Sequence, residues 1–400
     1  MLDLLPDSAS VEGGRLAIGG TDGEELARAF GTPLVVYCEQ TIRARARAYR
    51  AAAPEALVVY GTKALPNVAV LRLLAEEGIG ADVSTLGELR FAQAAGVPAD
   101  RLLVHGNNKS DEELRAAAEA QAAFVVLDSV EELERARTAG VTRMLVRITP
   151  GIEAETHESI RTGHVSSKFG VSPDEAEQLV PHVAGLHVHV GSQLVSLAVA
   201  REAVGWLNRF VSAVGWAPEV VDLGGGLGVA TEPGERVPSI GEFVATLLGE
   251  LAFEARLILE PGRSLVGQAG VTLYRVGTVK RAGERTWVAV DGGISDNPRP
   301  QLYGARYTAL LAARAGAAPT GVFGLAGKHC ESGDVLIDGV ALPEPRRGDV
   351  LAVPATGAYT LGMASNYNGV PRPAAVLVSD GDARVIRRRE TVDDLLALEV

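Results

Sequence analysis

Several residues that could do chemistry recur at comparable places in a repeating pattern. Lys63 lies in VVYGTKALP, His187 and His189 in HVHVGSQ, the glycines 224–226 in DLGGGLG, and Glu260 in EPGR. A second set is compressed into one loop. GKHCESGD, residues 327–334, holds Lys328, His329, Cys330, Glu331 and Asp334. Read locally, that loop fits a metal site, a redox thiol or an acid at an active site. Its neighbourhood in sequence does not choose among them.

The first set is more specific. Lys63 follows an apolar run, between Thr62 and Ala64. A lone loop lysine is by default a surface charge, but burial would lower its pKa and make it an imine-forming amine. Gly224, Gly225 and Gly226 let backbone N–H groups approach an anion without a Cβ in the way, and EPGR offers more such groups. Glu260 could be a satisfied core carboxylate. It could equally face a pyridine nitrogen and keep it protonated, so that the ring acts as an electron sink. His187 and His189 share one strand face. One could be only a core residue, while His189, next to Gly191 and Ser192, could stack on a cofactor ring. An amine, a phosphate cradle and an acid together suggest pyridoxal phosphate (PLP).

The elements that must position these residues are legible as apolar runs. They are ALVVY (56–60), IGADV (79–83), LLVHG (102–106), FVVLD (124–128), MLVRI (144–148), GLHVHV (185–190), VVDLG (220–224) and LILE (257–260). Helix-like segments lie between them, including NVAVLRLLAEEG, TLGELRFAQAAG and SDEELRAAAEAQ. The last opens on Ser110 with Glu113 three residues on, a capping-box spacing. Eight alternating units predict a (β/α)8 barrel of the α/β class, whose active site sits at the C-terminal strand ends. Lys63, Asp82, His105, Asn107, His187, His189, the glycine run and Glu260 all fall there.

After about residue 270 the texture changes to strands and tight turns, as in VTLYRVGTVK, TWVAVDGG, DVLIDGVAL and DVLAVP. The reading is a PLP-binding barrel over 33–268. Residues 1–32 plus 269–400 form a mainly β, sandwich- or barrel-like domain.

Bulk properties narrow the function. A net charge of -12 argues against a nucleic-acid backbone binder. No signal peptide or membrane-spanning run is visible. Two cysteines, Cys38 and Cys330, cannot build a disulfide framework or a CxxC zinc site. A cytoplasmic protein without a metal is expected.

The motifs YGTKA, GADVSTLGEL, HGNNKS, SKFG, HVGSQ, DLGGGLG, EPGRS, DNPRPQLYGA, CESGD and GAY occur in this order along the chain. With them the sequence resembles the barrel-type, alanine-racemase-fold PLP decarboxylases over essentially its whole length, and most closely the diaminopimelate decarboxylase branch. The resemblance implies that Lys63 holds PLP covalently, that His189 stacks on its ring and that Glu260 pairs with its nitrogen. It implies phosphate binding by Ser192, Gly224, Gly225, Gly226, Gly262 and Arg263, with Asp82 and Tyr359 also in the cofactor site. Arg263, Arg299 and Tyr303 are expected on the substrate's distal carboxylate and Glu331 on its distal ammonium, with Tyr359 beside them. Cys330 is the expected acid that reprotonates carbon after CO2 leaves. In the family CESGD reaches into the partner's site, which implies a homodimer. Where the family has asparagine after the Lys-Ala pair, this chain has Leu65 and Pro66, with Asn67 two positions later.

The implied reaction is decarboxylation of meso-2,6-diaminopimelate to L-lysine, the last step of lysine biosynthesis. Alternatives are a decarboxylase of ornithine, arginine or a carrier-tethered amino acid, whose substrates lack the free distal head. An alanine racemase is disfavoured by Glu260, since it would place arginine on the ring nitrogen. A non-catalytic PLP carrier would leave the β domain without a purpose.

Overall fold

The computed structural model describes residues 1–151, 167–189 and 191–400. The described chain divides into two compact units. One holds Arg43–Gly228 and Arg236–Leu265; the other holds Met1–Ile42, Val229–Glu235 and Val266–Val400.

The first unit is the expected barrel. Its strands are Leu57–Gly61, Gly80–Val83, Leu102–Val104, Phe124–Leu127, Met144–Ile148, Gly185–Val188, Val220–Asp222 and Arg256–Leu259. They close in sequence order, and every neighbouring pair is parallel. Each of the eight apolar runs supplies one strand, though the sixth run ends on Val190, outside the described residues. Strands covered on both faces read as continuous apolar stretches rather than alternating ones. Leu57, Val59, Leu103, Phe124, Val126, Leu145, Val220 and Ile258 form one buried cluster of that kind.

The connecting helices start where the sequence places their caps. Ser110 caps Asp111–Glu119 with the full reciprocal box to Glu113. Thr85 caps Leu86–Ala95, which ends on left-handed Gly96. Asn67 caps Val68–Glu76 by accepting the Ala69 and Val70 N–H groups. The displaced asparagine of the Lys63 loop therefore has a local structural role.

One buried charge braces the barrel. Lys109 Nζ donates to the carbonyls of Gly106 and Val126, both at 2.7 Å, and lies 3.0 Å from Glu132 Oε2. Both side chains are nearly inaccessible. Burial lowers the Lys109 pKa, against the opposing pull of Glu132. Lys109→Met leaves the Glu132 carboxylate without its cation and should cost about 3–5 kcal/mol. Urea unfolding of the cofactor-free protein checks this, and adding Glu132→Leu should recover most of the loss.

The second unit is built on a nine-stranded sheet. Its long strand Gly270–Ala282 pairs antiparallel with Leu34–Cys38, Arg285–Val290 and Val350–Val353. Leu34–Cys38 also pairs in parallel with Ala374–Ser379. Residues 34–38, placed by sequence at the start of the barrel, thus run in this sheet. Leu34, Val36 and Cys38 are buried there against Val271, Leu273 and Val376. A three-stranded antiparallel sheet over residues 10–22 precedes the helix Gly23–Phe30, which Asp22 caps. Among the described residues, no helix is long and apolar enough to cross a membrane.

Candidate active site

The barrel's C-terminal strand ends gather a dense polar cluster. The backbone of each strand is satisfied by its neighbours, so the last residue or two of each can turn a functional group into the rim. Glu260 follows the eighth strand and is buried. Its Oε1 lies 2.5 Å from His105 Nε2, and its Oε2 lies 3.3 Å from His187 Nε2. Asp82, at the second strand, puts Oδ1 3.8 Å from the same His105 nitrogen. The rings of His105 and His187 meet edge to face, with centroids 4.8 Å apart.

These groups settle one another's charge. Burial works against the Glu260 anion, but His105 and His187 outweigh it and hold its pKa well below the carboxylate range. Burial also works against a charged His105, yet Glu260 and Asp82 outweigh it and raise its pKa. For His187 burial wins, pushing it down to about 4. Asp82 is pushed up to about 6 by burial and by Glu260, against His105 and Lys63. Asp222 is pushed far up by burial and by Glu260, so the neutral form is favoured there beside the Glu260 anion. His105, His187, Asp222 and Glu260 offer ligand atoms within 4.8 Å of one another, a set that also suits a metal ion. Here both Glu260 oxygens already meet imidazole nitrogens.

Lys63 sits on the short 3-10 turn Thr62–Ala64, just past the first strand. Its side chain is exposed in this chain, where the sequence reading required burial. Thr62 and Ala64 on either side are buried, so the turn itself is fixed while the amine projects from it. Its positive charge nevertheless reaches the rim, lowering the pKa of both Asp82 and His189. Gly61 N–H donates to the Pro261 carbonyl at 3.2 Å, bringing the lysine's strand beside the EPGR turn.

His189 lies parallel to His187, at 6.4 Å and 7°. Burial, and then Lys63, push its pKa far down, so the ring is neutral although part of it reaches solvent. Its Nδ1 accepts the Gly225 N–H at 3.3 Å, which places the ring proton on Nε2. Gly224 N–H donates instead to Asp222 Oδ1 at 2.8 Å. Two of the three glycine N–H groups expected to face an anion therefore point inward. The glycines have a packing reason as well: a Cβ on Gly225 would overlap the Glu260 carbonyl, and Gly224 has φ +64°. Arg263 Nη2 donates to Ser192 Oγ at 3.2 Å, so these two expected anion binders meet.

The second unit carries its own cluster. Arg299 is buried on the helix Arg299–Tyr303, donates to the Ala358 carbonyl at 3.4 Å, and faces the Tyr303 ring at 6.0 Å. Tyr359, in GAY, has φ +58°, a left-handed conformation that a bulky residue keeps only under constraint. Cys330 and Glu331 are exposed. They are braced from behind. Asp334 Oδ2 accepts both the His329 backbone N–H, at 2.9 Å, and a hydrogen bond from His329 Nδ1, at 2.8 Å. The Cys330 N–H donates to Asn368 Oδ1 at 3.0 Å, and the Tyr367 hydroxyl donates to Glu331 Oε2 at 3.4 Å.

Sequence reasoning assigned no role to His105 and missed Asp222, Tyr367 and Asn368. Asp222 was findable, since it is a carboxylate closing an apolar strand. The Tyr367–Asn368 brace had no local signal.

The donor set fits PLP. An amine on one strand end, a buried anion on another, and a serine and arginine already in contact match its carbonyl, ring nitrogen and phosphate. Residues 39–267 match the family model for the pyridoxal binding domain of pyridoxal-dependent decarboxylases. The chain is 48% identical to a diaminopimelate decarboxylase of Actinosynnema pretiosum, over 99% of this chain and 95% of that protein. It is 42% identical to the Bacillus subtilis enzyme of that name, over 97% and 95%. Its fold superposes on a Helicobacter pylori diaminopimelate decarboxylase complexed with L-lysine, with TM-score 0.88, 32% identity, and 94% and 98% coverage. With its barrel, its strand-end lysine and its similarity across nearly the full length, the chain belongs to the diaminopimelate decarboxylases, a family of PLP-dependent carboxy-lyases.

Proposed function

We propose that the protein converts meso-2,6-diaminopimelate to L-lysine and CO2, the last step of lysine biosynthesis. The observation that carries this is 48% identity to a diaminopimelate decarboxylase over 99% of the chain. PLP, when bound, supplies the electron sink for the charge left by CO2. The Lys63 amine would hold the cofactor through its carbonyl. Glu260 stays anionic toward the ring nitrogen, and His189 presents a neutral ring face. Ser192, Arg263, Gly262 and, of the three glycines, Gly226 would bind the cofactor's phosphate, while Gly224 and Gly225 donate inward to Asp222 and His189. Asp82 and Tyr359 border the cofactor.

Selectivity follows from the far end of the substrate. Diaminopimelate carries an amino-acid head at each end, and only one is decarboxylated. Arg299 and Arg263, with Tyr303, suit the retained carboxylate through charge-assisted pairing. Glu331 suits the retained ammonium. Cys330 Sγ delivers the proton to carbon. Because Cys330 and Glu331 are exposed on this chain, we assign them to the barrel of a second copy, in a cytoplasmic homodimer. Turnover on diaminopimelate should far exceed that on ornithine or arginine. Equal or greater turnover on either would refute the substrate assignment. Light scattering should return twice the 41.8 kDa chain mass.

A further inference from the structure

Glu260 does not stand alone. Two other buried carboxyl groups, Asp82 and Asp222, lie close enough to act on its charge. Like charges in one dry site cannot all ionise, so protons must be shared out among the three. Which carboxyl keeps its charge then depends on the cations and donors nearby. His105 is the group placed to decide. It follows the third strand, its N–H is fixed to the Val83 carbonyl at 2.8 Å, and its ring is buried. Its Nε2 reaches Glu260 Oε1 at 2.5 Å but Asp82 Oδ1 only at 3.8 Å. Among the described residues, His187 on the sixth strand, Arg147 on the fifth and Lys63 past the first also act on this cluster, Arg147 leaning to Asp128 at 4.0 Å.

We propose that His105 is a positioning residue for the decarboxylation, holding Glu260 as an oriented anion so that the cofactor's ring nitrogen keeps its proton. This rests on the assignment of Glu260 to that nitrogen. The pKa directions agree: His105 is raised by its carboxylate neighbours, while His187 is driven to about 4 and stays neutral. His187, being neutral, supports the Glu260 anion through its contact at 3.3 Å, and His105 is the imidazole that can meet that anion with charge.

The test loads the protein with PLP labelled with 15N at the ring nitrogen and reads that nitrogen by solid-state NMR. His105→Gln keeps a neutral donor; His105→Ala removes it; Glu260→Gln is the reference for a lost anion. In both His105 variants the nitrogen should shift toward the deprotonated value seen in Glu260→Gln. PLP affinity should stay within about threefold, and kcat should fall about ten- to hundredfold with little change in KM, as for loss of an opposite charge held against the anion. A ring nitrogen still protonated in both His105 variants, but not in Glu260→Gln, overturns the proposal. A nitrogen still protonated in Glu260→Gln overturns the Glu260 assignment itself, and the proposal with it. Loss of PLP binding by His105→Gln at unchanged melting temperature also overturns it, making His105 a residue of cofactor retention.

Discussion

Lys63→Ala protein should fold and yet show no absorption band of covalently held cofactor, with decarboxylation reduced by at least about 10⁴-fold. The expectation of a preserved fold comes from the turn itself. Thr62 and Ala64 are buried while the Lys63 side chain is exposed, so truncating it removes little packing. The loss is chemical. The cofactor would still find the anion-binding groups and the Glu260 anion, so PLP should bind weakly and reversibly. Parallel absorption and melting measurements separate these outcomes. A retained covalent band would assign the linkage to another amine.

Cys330→Ala should slow product formation by about 10²–10⁴-fold, the range for a positioned proton donor, while PLP absorption stays unchanged. The side chain is exposed in the chain and its backbone is held by Asn368, so the substitution leaves the loop's brace in place. Mixing the two inactive variants tests where the loop acts. If Cys330 serves the second copy's barrel, a mixed dimer of Lys63→Ala and Cys330→Ala chains has one intact site. Random reassociation of equal amounts should then restore about a quarter of the parent activity. If the loop served its own barrel, no site would be whole and no activity would return. Equal loss of PLP binding and turnover in Cys330→Ala would point to a structural role instead.

The barrel was legible because a parallel sheet covered on both faces writes itself as apolar runs separated by capped helices. Every run between Ala56 and Glu260 supplies a barrel strand. LVVYC at 34–38 reads the same way and is just as buried, but pairs with Gly270–Ala282 in the other unit. Partner choice across more than two hundred residues leaves no local mark. Strand-end placement found Lys63, Glu260 and the histidines. It could not say that Lys63 would be exposed, nor that Gly224 and Gly225 would turn their N–H groups inward, because both depend on neighbours from other strands. The protonation pattern around Glu260 was hidden for the same reason. It arises from five strand ends meeting, those that carry Asp82, His105, His187, Asp222 and Glu260, and Asp222 and His105 each look ordinary in sequence. In the GKHCESGD loop, the buried His329–Asp334 pair frames the loop while exposed Cys330 and Glu331 remain available for chemistry.

The central claim is most directly tested by incubating the PLP-loaded protein with meso-2,6-diaminopimelate and measuring lysine and CO2 together. Equimolar L-lysine and CO2, abolished in Lys63→Ala, is the predicted result. A protein that carries PLP on Lys63 but releases neither product would contradict it.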